Sequence, residues 1–544
     1  MLLTSAATAQ TPTGDQPRAG GTLRIGDWSE PATLNPYFSG STLSAVLSEL
    51  ALDGLARVTP DGSYVPDLAA QIPTQANGDV SPDGTVVTWK LKHGITWSDG
   101  QPFTSQDVVY TYEMLIDPAN PVLNRSDYAA MQSVTAPAED TVIVTYKRLY
   151  PPYRLAFPWV FPSHVFNGES NISQDPFNRA ETVGTGPFLF KSWVSGDTIT
   201  FDRNASYREP GRPYLDEVIA KIVPSRDAEI QALEAGDIDV AYFLDPSYLS
   251  QLARLQDVSV DPGPYGVTDL FVNASCPTGP QQGDPACPHP VLGDVRVRQA
   301  IELAIDKQAL VHALMGDRVN VAVSPMLSTT GPYAVDLPPS EFSPDAADSL
   351  LDQAGWITGS DGIRSKAGVR AQLSIINAVG DIISEEAAQA IAADLQAIGI
   401  AVDNKEMTPT VISGGIATNS PLYLGSFDLL LFTRTVRGDP LPYLRAQYAS
   451  DQVPTAQAPS GQNWDRVQDP QLDQALDSAG GTLDDTQRQA AFVSVSRLVR
   501  ADEAAIPLFP WLIVDARKSY VAGWGPTNVN DWVTWNAQDW WLNQ

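Results

Sequence analysis

Histidine and cysteine are scarce in this chain of 544 residues, which holds four of the first and two of the second. His93, His164, His289 and His312 are scattered, with no HExxH or comparable spacing to hold a metal. Neither a GxSxG elbow nor a phosphate-cradling GxxxxGK[ST] loop occurs. Basic residues are also few: 34 Lys and Arg stand against 64 Asp and Glu, a net charge of −30. That field repels phosphate backbones and anionic lipid heads, so nucleic acid is not an expected partner. The charge is enough to keep an exported protein soluble. No apolar run reaches the roughly 18 residues of a membrane-spanning helix. There is no internal repeat and no low-complexity tract. These absences leave no catalytic residue, no metal ligand and no cofactor to nominate. Neighbouring acids such as Glu385-Glu386 and Asp484-Asp485 stand where helices begin, and the helix dipole explains them.

What is present is a long chain with 43% hydrophobic and 18% charged residues, more than one core usually organises, so two or three domains are expected. Its start, MLLTSAATAQ, resembles the tail of a signal peptide, with Ala7-Thr8-Ala9 as an A-x-A cleavage site. Residues 1–19 are read as that remnant and a flexible leader. Cys276 and Cys287 flank a polar loop rich in Pro and Gly, and an exporting compartment lets such a pair oxidise to a disulfide. A metal site with nearby His289 is the competing reading, although no CxxC pair supports it.

The most informative stretch is 81–113, SPDGTVVTWKLKHGITWSDGQPFTSQDVVYTYE. Val87, Trp89 and Leu91 alternate with Thr88, Lys90 and Lys92, the period of a strand with one buried face. Asp83-Gly84 and Asp99-Gly100 are tight-turn signals, the second between two short β segments. Thr104 opens a helix with Asp107 three residues on, a variant capping box. Val108, Tyr112 and Leu115 give that helix an apolar stripe. Further along, helices are expected over 41–52, over 229–236 with Gly236 as the stop, on either side of Asp306, after Ser343-Pro344, and from Ser384 to Gly399. Strands are expected at 20–26, 141–147 and 505–514. FDLLLF at 427–432, apolar but for Asp428, reads as a central strand buried on both faces.

The order of residues in 81–113 resembles the signature segment of the extracellular solute-binding proteins, family 5, the peptide, nickel and oligosaccharide receptors of ABC importers. VGTGPF at 183–188, EIQALEAGDIDVAYF at 229–243 and the aromatic tail NVNDWVTWNAQDWW extend the resemblance from about residue 20 to the C-terminus. It implies an α/β, two-lobed Venus-flytrap fold with an extra domain inserted in the first lobe. Domain I would hold 20–53, 187–275 and 517–544, domain II 54–186, and domain III 276–516. It implies a protein outside the cytoplasm, periplasmic or extracellular, that binds an oligopeptide-type or oligosaccharide-type solute, serves a membrane permease and works as a monomer. The alternative is a secreted hydrolase, such as a glycosidase or peptidase, with an acidic cleft. The segments bordering the family's cleft offer Tyr37, Phe38, Thr185, Gly186, Tyr265, Arg434, Thr435, Val436 and Arg437 as ligand-binding residues. Val436 stands where dipeptide receptors carry the acid that holds a free ammonium, and Asp439 belongs to a constant Gly-Asp-Pro element. Arg434 and Arg437 are either donors to an anionic or hydroxyl-rich ligand or structural partners of this chain's many acids.

Overall fold

Ten strands form one mixed sheet. In chain order they are β1 (Thr22–Asp27), β2 (Phe188–Val194), β3 (Thr198–Arg203), β4 (Glu217–Ile222), β5 (Val240–Leu244), β6 (Val258–Val272), β7 (Gln372–Ala378), β8 (Ala401–Met407), β9 (Leu429–Arg434) and β10 (Ala505–Lys518). Across the sheet the order is β8-β7-β9-β6-β10-β5-β1-β4-β3-β2. The computed structural model describes residues 16–325, 331–455, 461–525 and 532–543, and the Ala7-Thr8-Ala9 motif lies outside them.

The sheet has two parallel halves, β7, β8 and β9 on one side and β1, β4 and β5 on the other. Between them stands a long antiparallel ribbon, β6 against β10, of 15 and 14 residues. β9 pairs only with the far end of β6, Val267 to Val272. β5 pairs only with the other end of β10, Val514 to Arg517. The middle of the ribbon is therefore two-stranded, with a free edge on each side. Pro262 and Pro264 of β6 and Pro507 and Pro510 of β10 fall within these single-partner stretches. Proline cannot donate to a ladder, and the free edges are where a strand tolerates it. Two bulges add to the irregularity, one leaving Tyr265 unpaired and one leaving Leu508 unpaired.

Each half has its own buried cluster. Leu23, Ile25, Phe188, Phe201 and Trp540 pack around β1. Leu270, Ile375, Leu429, Ile391 and Leu395 pack around β7 and β9. A third cluster, with Trp89, Trp97, Val144 and Phe161, belongs to a small antiparallel sheet in which Thr141–Tyr146 lies between Val86–Lys90 and Met131–Ala138. Where this module meets the β1 half, four charged groups interlock. Arg57 bridges Asp67 at 2.8 Å and donates to the Trp535 carbonyl at 2.6 Å, while Arg208 bridges both Asp53 and Asp67. Burial alone would raise Asp67, but Arg57 and Arg208 hold its carboxyl below the ordinary value.

The local signals read from sequence form as expected in most places. Val87, Trp89 and Leu91 are buried in their strand. Thr104 accepts from the Gln106 N–H at 3.3 Å, and Asp107 accepts from the Thr104 N–H at 2.9 Å. Asp306 caps Lys307–Met315, and Gly236 closes Arg226–Ala235 in the left-handed conformation. β9 lies inside the sheet between β7 and β6, with Leu429, Leu430 and Leu431 all buried. There are corrections. The Ser384 helix begins at Ile382, because Asp381 is the cap and accepts from the Ser384 N–H at 3.0 Å. The helix expected over 41–52 is only Thr42–Ser48. The Asp99-Gly100 turn forms, but the strands beside it shrink to one bridge, Thr96 to Pro102. On Ser105–Ile116 the buried stripe runs through Val108, Thr111, Met114 and Leu115, with Tyr112 at its margin. Cys276 and Cys287 are joined as a disulfide, Cα atoms 5.4 Å apart. His289 organises the turn beside them: Nδ1 accepts from the Val291 and Leu292 N–H groups at 3.0 and 2.9 Å, so Nε2 carries the proton toward Asp428 at 2.9 Å.

Candidate functional site

The sheet register locates the cleft. β5 ends at Leu244 opposite Val514, and β9 ends at Arg434 opposite Val267, which pairs with Pro510. Val514 and Pro510 are four positions apart, about 13 Å along the strand. The carboxyl ends of the two parallel halves thus approach the same stretch of ribbon from opposite ends. Open α/β sheets bind ligands beyond the carboxyl ends of their strands, and here two such edges face each other. The bulged Tyr265 is placed between them.

One wall follows β1 and β5. Trp28 lies just past β1 and meets Tyr242 and Phe243, at ring distances of 5.7 and 6.3 Å. Phe243 has φ of +54°, a left-handed conformation an aromatic residue rarely adopts. It is held there from both sides: its carbonyl accepts from Arg226 at 2.6 Å, and its N–H donates to Asp515 at 3.3 Å. This turns its ring edge-on to Tyr265 at 5.2 Å. Arg226 also covers Trp28 at 3.6 Å and bridges Glu229 at 2.7 Å. Behind the wall Asp27 accepts from the Tyr242 hydroxyl, and burial pushes its carboxyl up to about 7 against the pull of that bond, with the Glu229 charge adding to the rise. Burial also lifts Glu229 to about 7, opposed by Arg226. Each has one buried oxygen without a hydrogen-bond partner among the described residues, a cost that adds to the penalty on the charged form.

The facing wall is the loop after β9. Arg434 is buried, donates to Asp269 at 2.5 and 3.1 Å and to the Tyr448 hydroxyl at 2.8 Å, and stacks over Phe271. Asp439 anchors the far end of the loop. Its two oxygens take Nη1 and Nη2 of Arg488 at 2.6 and 2.7 Å, and both side chains are 2% exposed. Between these anchors stands Arg437. Its Nη2 donates to the Tyr265 hydroxyl at 2.5 Å, and its guanidinium lies 3.2 Å from the centre of the Trp532 ring. Among the described residues no carboxylate pairs with it.

The small-sheet module closes the third side. Gly438 backs onto Leu155: a Cβ on this glycine would lie 2.6 Å from the Leu155 side chain, and its φ is +59°. Arg154 bridges to Asp485 at 3.1 Å, and Asp485 also accepts from the Tyr333 hydroxyl at 2.9 Å. The Tyr150 hydroxyl donates to Asp127 at 2.5 Å, its ring stacked on Tyr146 at 5.0 Å.

Of the residues nominated from sequence, Tyr265 and Arg437 meet in this cleft, with Thr435 and Val436 half-buried on the same loop. The others are engaged in the fold. Tyr37 is buried in the small-sheet core and donates to the Trp159 carbonyl at 2.7 Å, and Phe38 packs on the same cluster. The carbonyl of buried Thr185 accepts from Arg208 at 3.2 Å. Gly186 allows backbone to pass backbone: its N–H donates to the Ala51 carbonyl at 2.9 Å, and a Cβ would come 2.6 Å from that carbonyl carbon. Arg434 is paired with the buried Asp269. Trp28, Asp127, Tyr150, Phe243 and Trp532 were not anticipated. Among the described residues no group of three or more His, Cys, Asp or Glu is placed to hold a metal, and no helix is long and apolar enough to cross a membrane.

Comparison with known proteins agrees with this architecture. Residues 63–455 match the family model for bacterial extracellular solute-binding proteins, family 5 (middle). Protein XP55 of Streptomyces lividans is 29% identical over 496 residues, 88% of this chain and 81% of that protein. The oligopeptide-binding protein AppA of Bacillus subtilis is 28% identical over 396 residues, 71% of this chain and 69% of that protein. Among solved structures, NikZ from Campylobacter jejuni in complex with Ni(L-His) superposes with a TM-score of 0.76 at 23% identity, covering 95% of this chain and 99% of that one. The module that carries the small sheet, the ribbon between two parallel halves and the aromatic cleft are thus parts of a two-lobed α/β binding protein, and the chain belongs to the extracellular solute-binding proteins of family 5.

Proposed function

We propose that the protein captures a solute between its lobes outside the cytoplasm and delivers it, as a monomer, to the permease of an ABC importer. The observation that carries this reading is Arg437, a cation without a counter-charge among the described residues, placed where the two carboxyl edges meet. An arginine fixed over an indole is a preorganised donor for carboxylate or phosphate. The solute therefore bears an anionic end, which favours an oligopeptide-type ligand over a neutral oligosaccharide. The name of the relative AppA, an oligopeptide-binding protein, supports the same class. The relatives named by function are binding proteins, which supports a receptor over a secreted hydrolase. The division into domains 20–53 with 187–275 and 517–544, 54–186, and 276–516 is part of the proposal, and the separate buried clusters around β1, around β7 and β9, and around the small sheet support it.

The mechanism is closure. The proline-interrupted middle of the ribbon bends, the small-sheet module and the β9 loop come together, and a solute touching both walls shifts the equilibrium toward the closed form. Closure excludes water from around Arg437, where the lower dielectric strengthens its grip. The test is small-angle scattering of protein stripped of its co-purified solute, with and without that solute, identified by native mass spectrometry. The radius of gyration falls on saturation if the reading holds. An unchanged radius at saturation refutes it.

A further inference from the structure

The small-sheet module is fastened across the cleft to the half built on β7 and β9. Three contacts do this. Leu155 packs on Gly438, which stands between Arg437 and Asp439 in the loop after β9. Leu483 joins the apolar cluster of the module, and a Cβ on Gly84 would lie 3.2 Å from it. Nη1 of Arg154 donates to both oxygens of Asp485, at 3.2 and 3.1 Å. Asp485 opens the helix Asp485–Asp502, whose Phe492 shares a buried cluster with Tyr333 and Leu441.

The ion pair begins a hydrogen-bonded series that ends in the β9 loop. On the module side Arg154 is held in place: its guanidinium lies 5.5 Å from the Tyr64 ring centre and 5.6 Å from that of Tyr153, whose hydroxyl donates to the Pro73 carbonyl at 2.8 Å. On the other side the Tyr333 hydroxyl donates to Asp485 at 2.9 Å and accepts from Nη1 of Arg488 at 2.6 Å. A guanidinium only donates, so the hydroxyl proton is committed to Asp485. Arg488 in turn holds Asp439 through two bonds. Arg154, Asp485, Tyr333, Arg488 and Asp439 are thus linked one to the next, and Arg437 lies two residues from the end of the series.

Resting on the capture reading above, we propose that Arg154 is a positioning residue for solute retention: paired with Asp485, it clasps the small-sheet module over the β9 loop and makes no contact with the solute itself. Solute leaves from the open form, so each departure breaks the clasp, whereas entry precedes its formation. The clasp therefore acts on the off-rate and leaves the on-rate alone. Its strength follows from its exposure. The Arg154 side chain is 17% exposed and that of Asp485 47%, and a pair with one solvated partner shifts an equilibrium by about 2- to 5-fold.

The test reloads the stripped full chain with the solute extracted from the same purified protein by unfolding it. Release after dilution is timed by native mass spectrometry, and uptake by tryptophan fluorescence. Arg154→Met and Asp485→Asn each speed release by about 2- to 5-fold with uptake unchanged. The double variant releases no faster than either single, because both remove one contact. Arg154→Lys keeps the charge and slows release again. Raising salt from about 0.02 to about 0.5 M narrows the gap between wild type and Arg154→Met, since screening weakens a half-exposed pair. A loss of general stability would show no such dependence, and only variants melting within a few degrees of wild type are compared. Unchanged release in both single variants, effects that multiply in the double, or a gap that salt leaves untouched overturns the proposal, and the capture reading stands. Failure of wild type to compact on the extracted solute removes the capture reading and this inference with it.

Discussion

Replacing Arg488 with Met removes the cation that fixes the β9 loop. Arg488 gives Asp439 two bonds, of 2.6 and 2.7 Å, and donates also to the Ala479 carbonyl at 3.0 Å and the Tyr333 hydroxyl at 2.6 Å. Without it, Asp439 keeps, among the described residues, the Leu441 N–H at 3.0 Å on Oδ1, and Oδ2 loses its Arg488 partner in the interior. Breaking one side of a buried pair costs about 3–5 kcal/mol, limited here by the option of protonating Asp439. Removing both charges is different. Arg488→Met with Asp439→Leu strands no ion and loses mainly the Leu441 bond, about 1 kcal/mol. The expected coupling between the two positions is therefore roughly 2–3 kcal/mol in favour of the double variant. Urea unfolding of the full chain, followed by tryptophan fluorescence and fitted for more than one transition, reads both numbers. The single variant should also bind the co-purified solute more weakly, because the loop that holds Arg437 loses its far anchor. A single variant within about 1 kcal/mol of wild type, or a double variant no better than the single, would refute the reasoning.

Three other outcomes are expected. Arg437→Ala weakens binding of the co-purified solute by about 2–5 kcal/mol in titration calorimetry, with the melting temperature little changed. Stability falls as pH rises from 5 to 8: Asp27 and Glu229 are lifted from 3.8 and 4.5 to about 7, so the folded state holds protons the unfolded state releases. For Asp27 that difference is worth roughly 4 kcal/mol, fully present below the unfolded value and lost through about 7. Asp27→Asn flattens the melting-temperature profile, and an unchanged profile contradicts the assignment. Reducing the Cys276–Cys287 bridge, whose ends are 11 residues apart, lowers stability by about 2–3 kcal/mol, and thiol titration of unfolded, unreduced protein finds no free thiol.

Local structure was readable in the sequence where neighbours in the chain decide it. The Thr104 capping box, the Asp306 cap and the apolar β9 are short-range features, and the family resemblance rests on such segments in order. The cleft was only half legible. Arg437 and Tyr265 meet across 172 positions, and no periodicity signals that Trp532 joins them. Nor does an aromatic residue announce whether it lines a wall or fills a core, so Tyr37 and Tyr265 looked alike. One signal was available and passed over. Asp269 interrupts the apolar run of β6, and a lone acid inside a buried strand anticipates an arginine, here Arg434. That pairing separates the structural arginine from the one facing the cleft.

The four prolines of the ribbon also bear on how the protein behaves at high concentration. A two-stranded stretch with free edges is a template onto which another chain's strand can add, the first step toward aggregation. Pro262 and Pro264 on one strand, and Pro507 and Pro510 on the other, remove donors where an intruding strand would need them. The residues that interrupt the ribbon thus also make its free edges a poor seed for another chain.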